Sequence, residues 1–200
     1  MSYWERRRPV RRVRAIEEAD IAREAIALLD EGGVRAVTAR AVAERVGVAA
    51  ASLYSRIGSV DDMLDLALDS ALGRDPGVDW AAEDPGALML TWFHHLSRHP
   101  WAAIVVGLRA PRGPHYLRLS ERLCELLVLE GDDDPLSTAY AMSNFVVGSA
   151  LTSSAVHGER SAPVDRTLAP TYSRLHAVHD TGAESIVRAG LAALRRPAAT

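Results

Sequence analysis

The stretch Thr38–Ser55, TARAVAERVGVAAASLYS, decides the fold. It reads as two short helices around a tight glycine turn. Thr38 is placed to cap the first, which runs to Val46 with Val42 and Val46 four residues apart on one face. Gly47 breaks it, because glycine enters the left-handed region at no steric cost. Val48 buries beneath the turn, and a second short helix follows over 49–55. This is the sequence form of a helix-turn-helix, whose second helix projects into a DNA major groove. Ordinary helical-bundle packing gives the same pattern, so the two-helix motif alone leaves both readings open.

Working outward, the helical signal continues on both sides. Over 16–31, Ile21, Ala25, Leu28 and Leu29 recur at helical spacing, and Gly32-Gly33 ends that helix. Ser59-Val60-Asp61-Asp62 has the form of a capping box that opens a longer helix over 59–72. The segment Gly73–Gly86, with two Pro, three Gly and four acids, reads as a linker between two units. Further helices are expected near 86–98, 100–109, 114–130, 135–157, 165–177 and 182–195, with prolines at their starts or in the gaps. Alternating strand patterns are nearly absent. The predicted fold class is all-α, divided into a basic N-terminal arm (1–15), a three-helix unit with its linking helix (16–72) and a helical body (73–200).

Composition narrows the function. The chain has 200 residues, 48 % hydrophobic and 24 % charged, ordinary for a globular protein and unlike a disordered one. One cysteine, Cys124, excludes an internal disulfide, and no Cys/His set has zinc-finger spacing. No apolar run reaches the ~18 residues of a membrane span, and the basic start leads into no signal-type apolar region. A cytoplasmic protein with no membrane partner is expected. Residues 1–58 hold 11 Arg against 8 acids, whereas residues 59–200 hold 12 Arg against 18 acids. A basic head on an acidic body suits a nucleic-acid reader attached to something that does not touch nucleic acid.

A longer set of residues is more specific than the two-helix motif. Ala27-Leu28-Leu29-Asp30-Glu31-Gly32-Gly33, Thr38, Arg40, Val42-Ala43, Val46-Gly47-Val48, Ser52-Leu53-Tyr54 and Met63-Leu64 together resemble the DNA-binding domain of the TetR family of bacterial transcriptional repressors. The body is similar, more loosely, to the tetracycline-repressor type of C-terminal domain, through His99-Pro100-Trp101, Gly113-Pro114, Leu123, Leu126, Leu127 and Phe145-Val146-Val147-Gly148. The resemblance implies a homodimer that binds a pseudo-palindromic double-stranded DNA operator. It also implies release when an unknown small-molecule effector enters a pocket in the body.

The resemblance assigns the DNA contacts to Thr38, Arg40, Ala50, Ala51, Ser52, Tyr54, Ser55 and Arg56. Arg40 would reach a base edge, where a guanidinium suits guanine. Tyr54 would touch a phosphate, and Thr38 the backbone. The alternatives are a half-buried Tyr54 and a solvated Arg40. Three positions depart from the family: Ala49 where a polar residue is frequent, Ile57 where an aromatic is, and Val60 where a lysine contacts phosphate. With Ala49-Ala50-Ala51 in the recognition helix, methyl contacts and DNA shape would carry more of the discrimination. Arg56 and the arm's Arg6, Arg7, Arg8, Arg11, Arg12 and Arg14 could restore phosphate attraction. That arm either enters a minor groove or acts as a nonspecific basic tail.

For the ligand pocket the candidates are Trp92, Phe93, His95, Trp101, Tyr116 and Phe145; a plain aromatic core is the alternative. His95 and His99 lie four apart, but spacing shows no third ligand, so no metal and no cofactor are expected. The resemblance aligns Val106 with the metal-ligating histidine of metal-drug-binding members and Thr152 near their partner-chain acid. An effector without a required metal is therefore expected. Cys124 reads as a small buried apolar residue. The helices 135–157 and 182–195 correspond to the family's dimer-forming pair, with Ala139, Met142, Val146, Ala150, Ile186, Ala189, Gly190 and Ala193 suited to close packing. No G-x-S-x-G elbow, P-loop, H-E-x-x-H or dinucleotide fingerprint occurs, so an enzyme is not expected. An uncharacterised enzyme and a helical partner-binding protein remain the rivals.

Overall fold

The computed structural model describes residues 17–179 and 182–195, with backbone only for 154–161. The basic arm and its arginines lie outside the described residues, as do 196–200. The described residues form ten α-helices and one 3-10 turn. The head comprises α1 (Glu18–Gly32), the 3-10 turn Val34–Ala36, α2 (Ala39–Val46) and α3 (Ala50–Leu53), and α4 (Val60–Arg74) follows. The body comprises α5 (Pro85–Arg98), α6 (Pro100–Leu108), α7 (Pro114–Leu129), α8 (Pro135–Ser161), α9 (Pro170–His176) and α10 (Ala183–Leu194).

The stops and starts have local causes. Five of these helices begin at proline (α5 to α9), a residue with no N–H to lose in the first turn and a preset helical φ. Asp84 caps α5 by accepting a bond from the Ala87 amide at 2.7 Å. Ser59 caps α4 by accepting from the Asp62 amide, and Asp62 reaches back to the Gly58 amide at 2.9 Å, one residue beyond the usual reciprocal bond of a capping box. The helix expected over 165–177 is confined to Pro170–His176, because Asp165 instead folds the chain into a turn by accepting from the Thr167 and Leu168 amides.

One apolar core runs through head and body. It takes Ile21, Leu28 and Leu29 from α1, Leu53 from α3, and Met63, Leu68 and Leu72 from α4. It continues into Trp92, Leu96, Val105, Leu123 and Val146 of the body. Helix α4 is buried nearly all round, as a helix enclosed by packed neighbours must be. It packs against α1 on one side and against α6 and α7 on the other.

The segment between α4 and α5, expected as a linker, is strapped to the body. Val78 and Ala82 are buried, Arg118 lies 4.7 Å over the Trp80 ring, and Arg122 donates to the Ala82 carbonyl at 2.9 Å. Several small residues expected to suit a dimer face pack within the chain instead. Ala139, Met142, Val146 and Ala150 belong to the core, and Gly190 abuts the Phe145 ring so closely that a Cβ there would lie 2.1 Å from it. Ile186, Ala189 and Ala193 remain exposed on α10, as does Leu151 on α8.

Candidate nucleic-acid interface and ligand cavity

The head presents the outer surface of α2 and α3. Thr38 has extended backbone, and its hydroxyl accepts from the Ala41 amide at 3.1 Å, which starts α2 and brings Arg40 to its second position. Gly47, at φ 76° and ψ 36°, occupies the left-handed region that the sharp turn requires. The Val48 amide then bonds back to Ala43 at 2.9 Å. Val42, Ala43, Leu53 and Ile57 face inward. Thr38, Arg40, Ala49, Ala51, Ser52, Tyr54 and Ser55 face outward, with Ala50 and Arg56 partly buried. Tyr54 is 53 % exposed, so it is not a packing residue. The second helix is shorter than expected, and Tyr54 to Arg56 turn off its end. Ser55 spends its hydroxyl proton on the Ser52 carbonyl at 2.7 Å.

Ile57 is buried, so this position turns an apolar chain inward. Arg45 forks onto both oxygens of Glu31, tying the end of α2 to the end of α1. The Arg45 guanidinium lowers the pKa of Glu31, and the Glu31 carboxylate raises that of Arg45. Arg40 and Arg56 form no ion pair among the described residues, and Arg40 is exposed. Arg35, not singled out from the sequence, is also exposed on the 3-10 turn before Thr38. A lone arginine outside the motif carries no sequence signal.

Behind the head, α4 carries a row of carboxylates at four-residue spacing: Asp61, Asp65 and Asp69. Arg109, just past α6, bridges the first two, at 2.9 Å to Asp61 and 3.0 Å to Asp65. Asp69 accepts from the backbone amides of His115 and Tyr116 at 2.8 and 3.0 Å, and pairs with His115 Nδ1 at 2.7 Å. A carboxylate on α4 thus satisfies the free N–H groups that open α7. The approach is so close that a Cβ on Gly113 would stand 2.1 Å from the Asp69 carboxylate. A second joint lies at the end of α1. There Asp30 accepts from the Trp101 indole at 2.6 Å and pairs with His99 Nδ1 at 2.8 Å.

A cavity of about 400 Å³ opens between the end of α6, the 109–113 loop, α7 and α8. Val106, Pro111, Leu123, Leu136, Ala139 and Val147 supply its apolar wall. Arg112, Tyr116, Ser120, Tyr140, Ser143 and Asn144 supply polar groups, and Leu136 and Tyr140 are more than half exposed at its edge. Burial raises the pKa of the Tyr116 phenol, keeping it a neutral hydrogen-bond donor. Cys124 also lines the cavity, and burial raises its thiol pKa, which disfavours the reactive thiolate.

Of the six residues expected to line a pocket, Tyr116 lines this cavity. Trp92, Phe93, His95 and Trp101 are buried, and Phe145 packs beside Gly190. Trp92 meets the edge of Tyr116 at 5.9 Å and stacks on His95 at 5.2 Å, forming a layer behind the wall. His95 donates its Nδ1–H to the Asp75 carboxylate at 2.7 Å. Burial pushes its pKa down to about 4, with His99 helping and Asp75 opposing. For Asp75, burial works upward but the bonds from Arg98, His95 and the Gly77 amide prevail and bring it to about 2. His94, His95 and His99 each address a different carboxylate, Glu184, Asp75 and Asp30. Val106 lines the cavity with an aliphatic chain, while Thr152 is exposed and turns its hydroxyl onto the Gly148 carbonyl. Among the described residues no helix is long and apolar enough to cross a membrane.

Residues 21–66 match the family model of the bacterial regulatory proteins of the tetR family. Over 137 residues the chain is 37 % identical to an HTH-type transcriptional regulator of Saccharopolyspora erythraea, a match covering 65 % of this chain and 58 % of that relative. The match therefore spans less than two thirds of the relative's length. Among solved structures, a transcriptional regulator of Streptomyces coelicolor, a TetR, aligns at a TM-score of 0.72 with 23 % identity over 90 % of this chain and 96 % of that one. The Streptomyces coelicolor TetR family protein ActR, solved in complex with (S)-DNPA, aligns at 0.70 with 24 % identity over 90 % and 95 %. The matched segment contains α2, the Gly47 turn and α3, and the shared fold takes in the body as well. Residues 21–66 are thus similar to the tetR family of bacterial regulatory proteins, and the chain shares its all-helical fold with TetR regulators of known structure.

Proposed function

We propose that the protein is a ligand-responsive transcriptional regulator, a repressor that binds a palindromic double-stranded DNA operator as a homodimer. Thr38, Arg40, Ala50, Ala51, Ser52, Tyr54, Ser55 and Arg56 form the DNA-reading surface. Arg40 reads a base edge and Tyr54 holds a phosphate, with the alanine methyls giving apolar contact. The two recognition helices of a dimer must stand about one DNA turn apart, ~34 Å, to enter successive major grooves. The exposed Leu151, Ile186, Ala189 and Ala193 on α8 and α10 support these helices as the dimer surface.

The observation that carries the regulatory reading is a shared segment. Residues 106–116 line the cavity through Val106, Ala110, Pro111, Arg112 and Tyr116. The same segment grips α4 through Arg109 on Asp61 and Asp65, and through His115 and Tyr116 on Asp69. An apolar, partly aromatic effector that displaces this segment also displaces α4, and with it the spacing of the reading heads. The effector acts by binding the DNA-free arrangement more tightly, so effector and operator oppose each other without sharing a site. Val106 where metal-drug-binding members place a ligand histidine supports an effector that needs no metal. That ActR, a TetR family protein of similar fold, is solved in complex with (S)-DNPA supports a small-molecule effector.

The test is fluorescence anisotropy on labelled DNA from upstream of the protein's own gene, with light scattering on the same sample. Saturable, sequence-selective binding by a species of twice the 21.6 kDa chain mass is expected. Effector-driven release should persist with EDTA present. Binding indifferent to sequence, or a clean monomer, would overturn the operator reading. Release abolished by chelation would overturn the metal-free effector.

A further inference from the structure

A second concavity, of about 560 Å³, lies between α1, the end of α4 and the end of α5. It shares no lining residue with the effector cavity. Three guanidinium groups from three different helices border it: Arg23 of α1, Arg74 of α4 and Arg98 of α5. The one carboxylate in its lining, Asp75, is already committed to Arg98, to His95 at 2.7 Å and to the Gly77 amide at 2.8 Å. Arg23 pairs on its outer side with Asp20 and Glu24. Arg74 forms no ion pair or hydrogen bond among the described residues. Within the lining itself three guanidiniums face one carboxylate, and the Arg74 charge is unanswered. Beneath them Ile26, Ala71 and Pro76 provide an apolar surface.

We propose that this groove is a second small-molecule site, which takes an organic anion with a compact apolar body. A carboxylate or phosphate monoester would lie against the guanidiniums, whose planar forks match both groups, while the apolar part covers Ile26, Ala71 and Pro76. An acidic group alone would forgo the apolar surface, and a neutral apolar molecule would leave Arg74 unanswered. The site has a consequence for the joint between head and body. His99, also in the lining, is the side chain that pairs with Asp30 of α1. A ligand held here touches α1, α4 and α5 at once and ties the head in the arrangement seen here.

The experiment is amide and arginine side-chain NMR on the full-length protein, titrated separately with phenyl phosphate, benzoate, inorganic phosphate and benzyl alcohol. Both aromatic anions should give saturable shifts at the Gly77 amide and at Arg74 Nε. The tighter of the two identifies the acidic group as phosphate or carboxylate. Inorganic phosphate should bind more weakly and benzyl alcohol should leave these signals in place. Arg74→Gln, at an exposed position, should weaken the aromatic anion about tenfold, the effect of removing one charge-assisted hydrogen bond, with an unchanged melting temperature. Arg23→Gln should weaken it as well. Equal binding by inorganic phosphate would overturn the apolar contribution, and equal binding by benzyl alcohol would overturn the charge. Shifts confined to Tyr140 and Asn144, or unaltered affinity in both variants, would overturn the site.

Discussion

The proposed DNA-reading surface and the proposed effector cavity are built on opposite plans. The surface is assembled from one short stretch, 38–56, where the caps, the turn and the outward side chains are neighbours in sequence. Its geometry rests on local bonds such as Thr38 to the Ala41 amide and Val48 to Ala43. The cavity draws on α6, α7, α8 and the loop after α6, so it exists only once those helices have packed. The difference teaches where damage should be felt. A change on the reading surface should alter DNA affinity and leave folding intact, whereas a change behind the cavity should cost stability and regulation together.

The largest effect should come from Asp69→Ala. It strips three bonds from the start of α7 and leaves two amides without their acceptor, at a cost of about 3–4 kcal/mol in urea unfolding. A loss below ~1 kcal/mol would show that α4 does not hold α7 through this carboxylate.

Acid should produce the next effect. Between pH 6.5 and about 4 the unfolded chain protonates His95 while the folded chain holds it neutral, so stability falls as pH drops through that range. Asp75 adds a loss in the same direction from pH 3.8 down to about 2. The His95 contribution is on the order of 2–3 kcal/mol between pH 7 and pH 4, checked by urea unfolding across that range with His95→Gln as the comparison. A wild-type slope equal to that of the variant would remove His95 as its source.

On the reading surface, Arg40→Ala should weaken specific operator binding by about 1–3 kcal/mol and relax base preference at one position of each half-site. Tyr54→Phe should weaken all sequences alike, since its proposed partner is a phosphate. Neither should move the melting temperature, because both side chains face outward. A fall in stability with unchanged DNA affinity would break the contrast between the two regions. Thr38→Val sharpens it from the other side. It removes the α2 cap and should cost ~1 kcal/mol of stability, the one reading-surface residue whose loss is felt in folding.

Much of the head was legible because its determinants are short-range. Helix stripes, the Thr38 and Ser59 caps and the left-handed Gly47 are each decided within four residues, and a linear pattern records them faithfully. Prolines at helix starts marked the body's elements for the same reason. Aromatic residues were a poorer guide to the cavity. Trp92, Phe93 and Trp101 are the side chains a binding pocket would use, yet they are equally the ones that fill a core between crossing helices, and here they are buried. The signal that would have helped is the polar set Arg112, Ser120, Ser143 and Asn144 on helices whose other faces are apolar, but that reading needs to know which faces meet.

The sequence by itself determined an all-helical chain, its helix-turn-helix and the residues outward on that motif, since backbone propensity, capping and 3.6-residue periodicity act locally. Only the tertiary structure decided that Asp61, Asp65 and Asp69 grip the 109–116 segment, that this segment also walls the cavity, and that Arg23, Arg74 and Arg98 border one groove. Those meetings join residues up to 75 positions apart in the chain, from Arg23 to Arg98. They depend on how whole helices pack, which no local preference encodes.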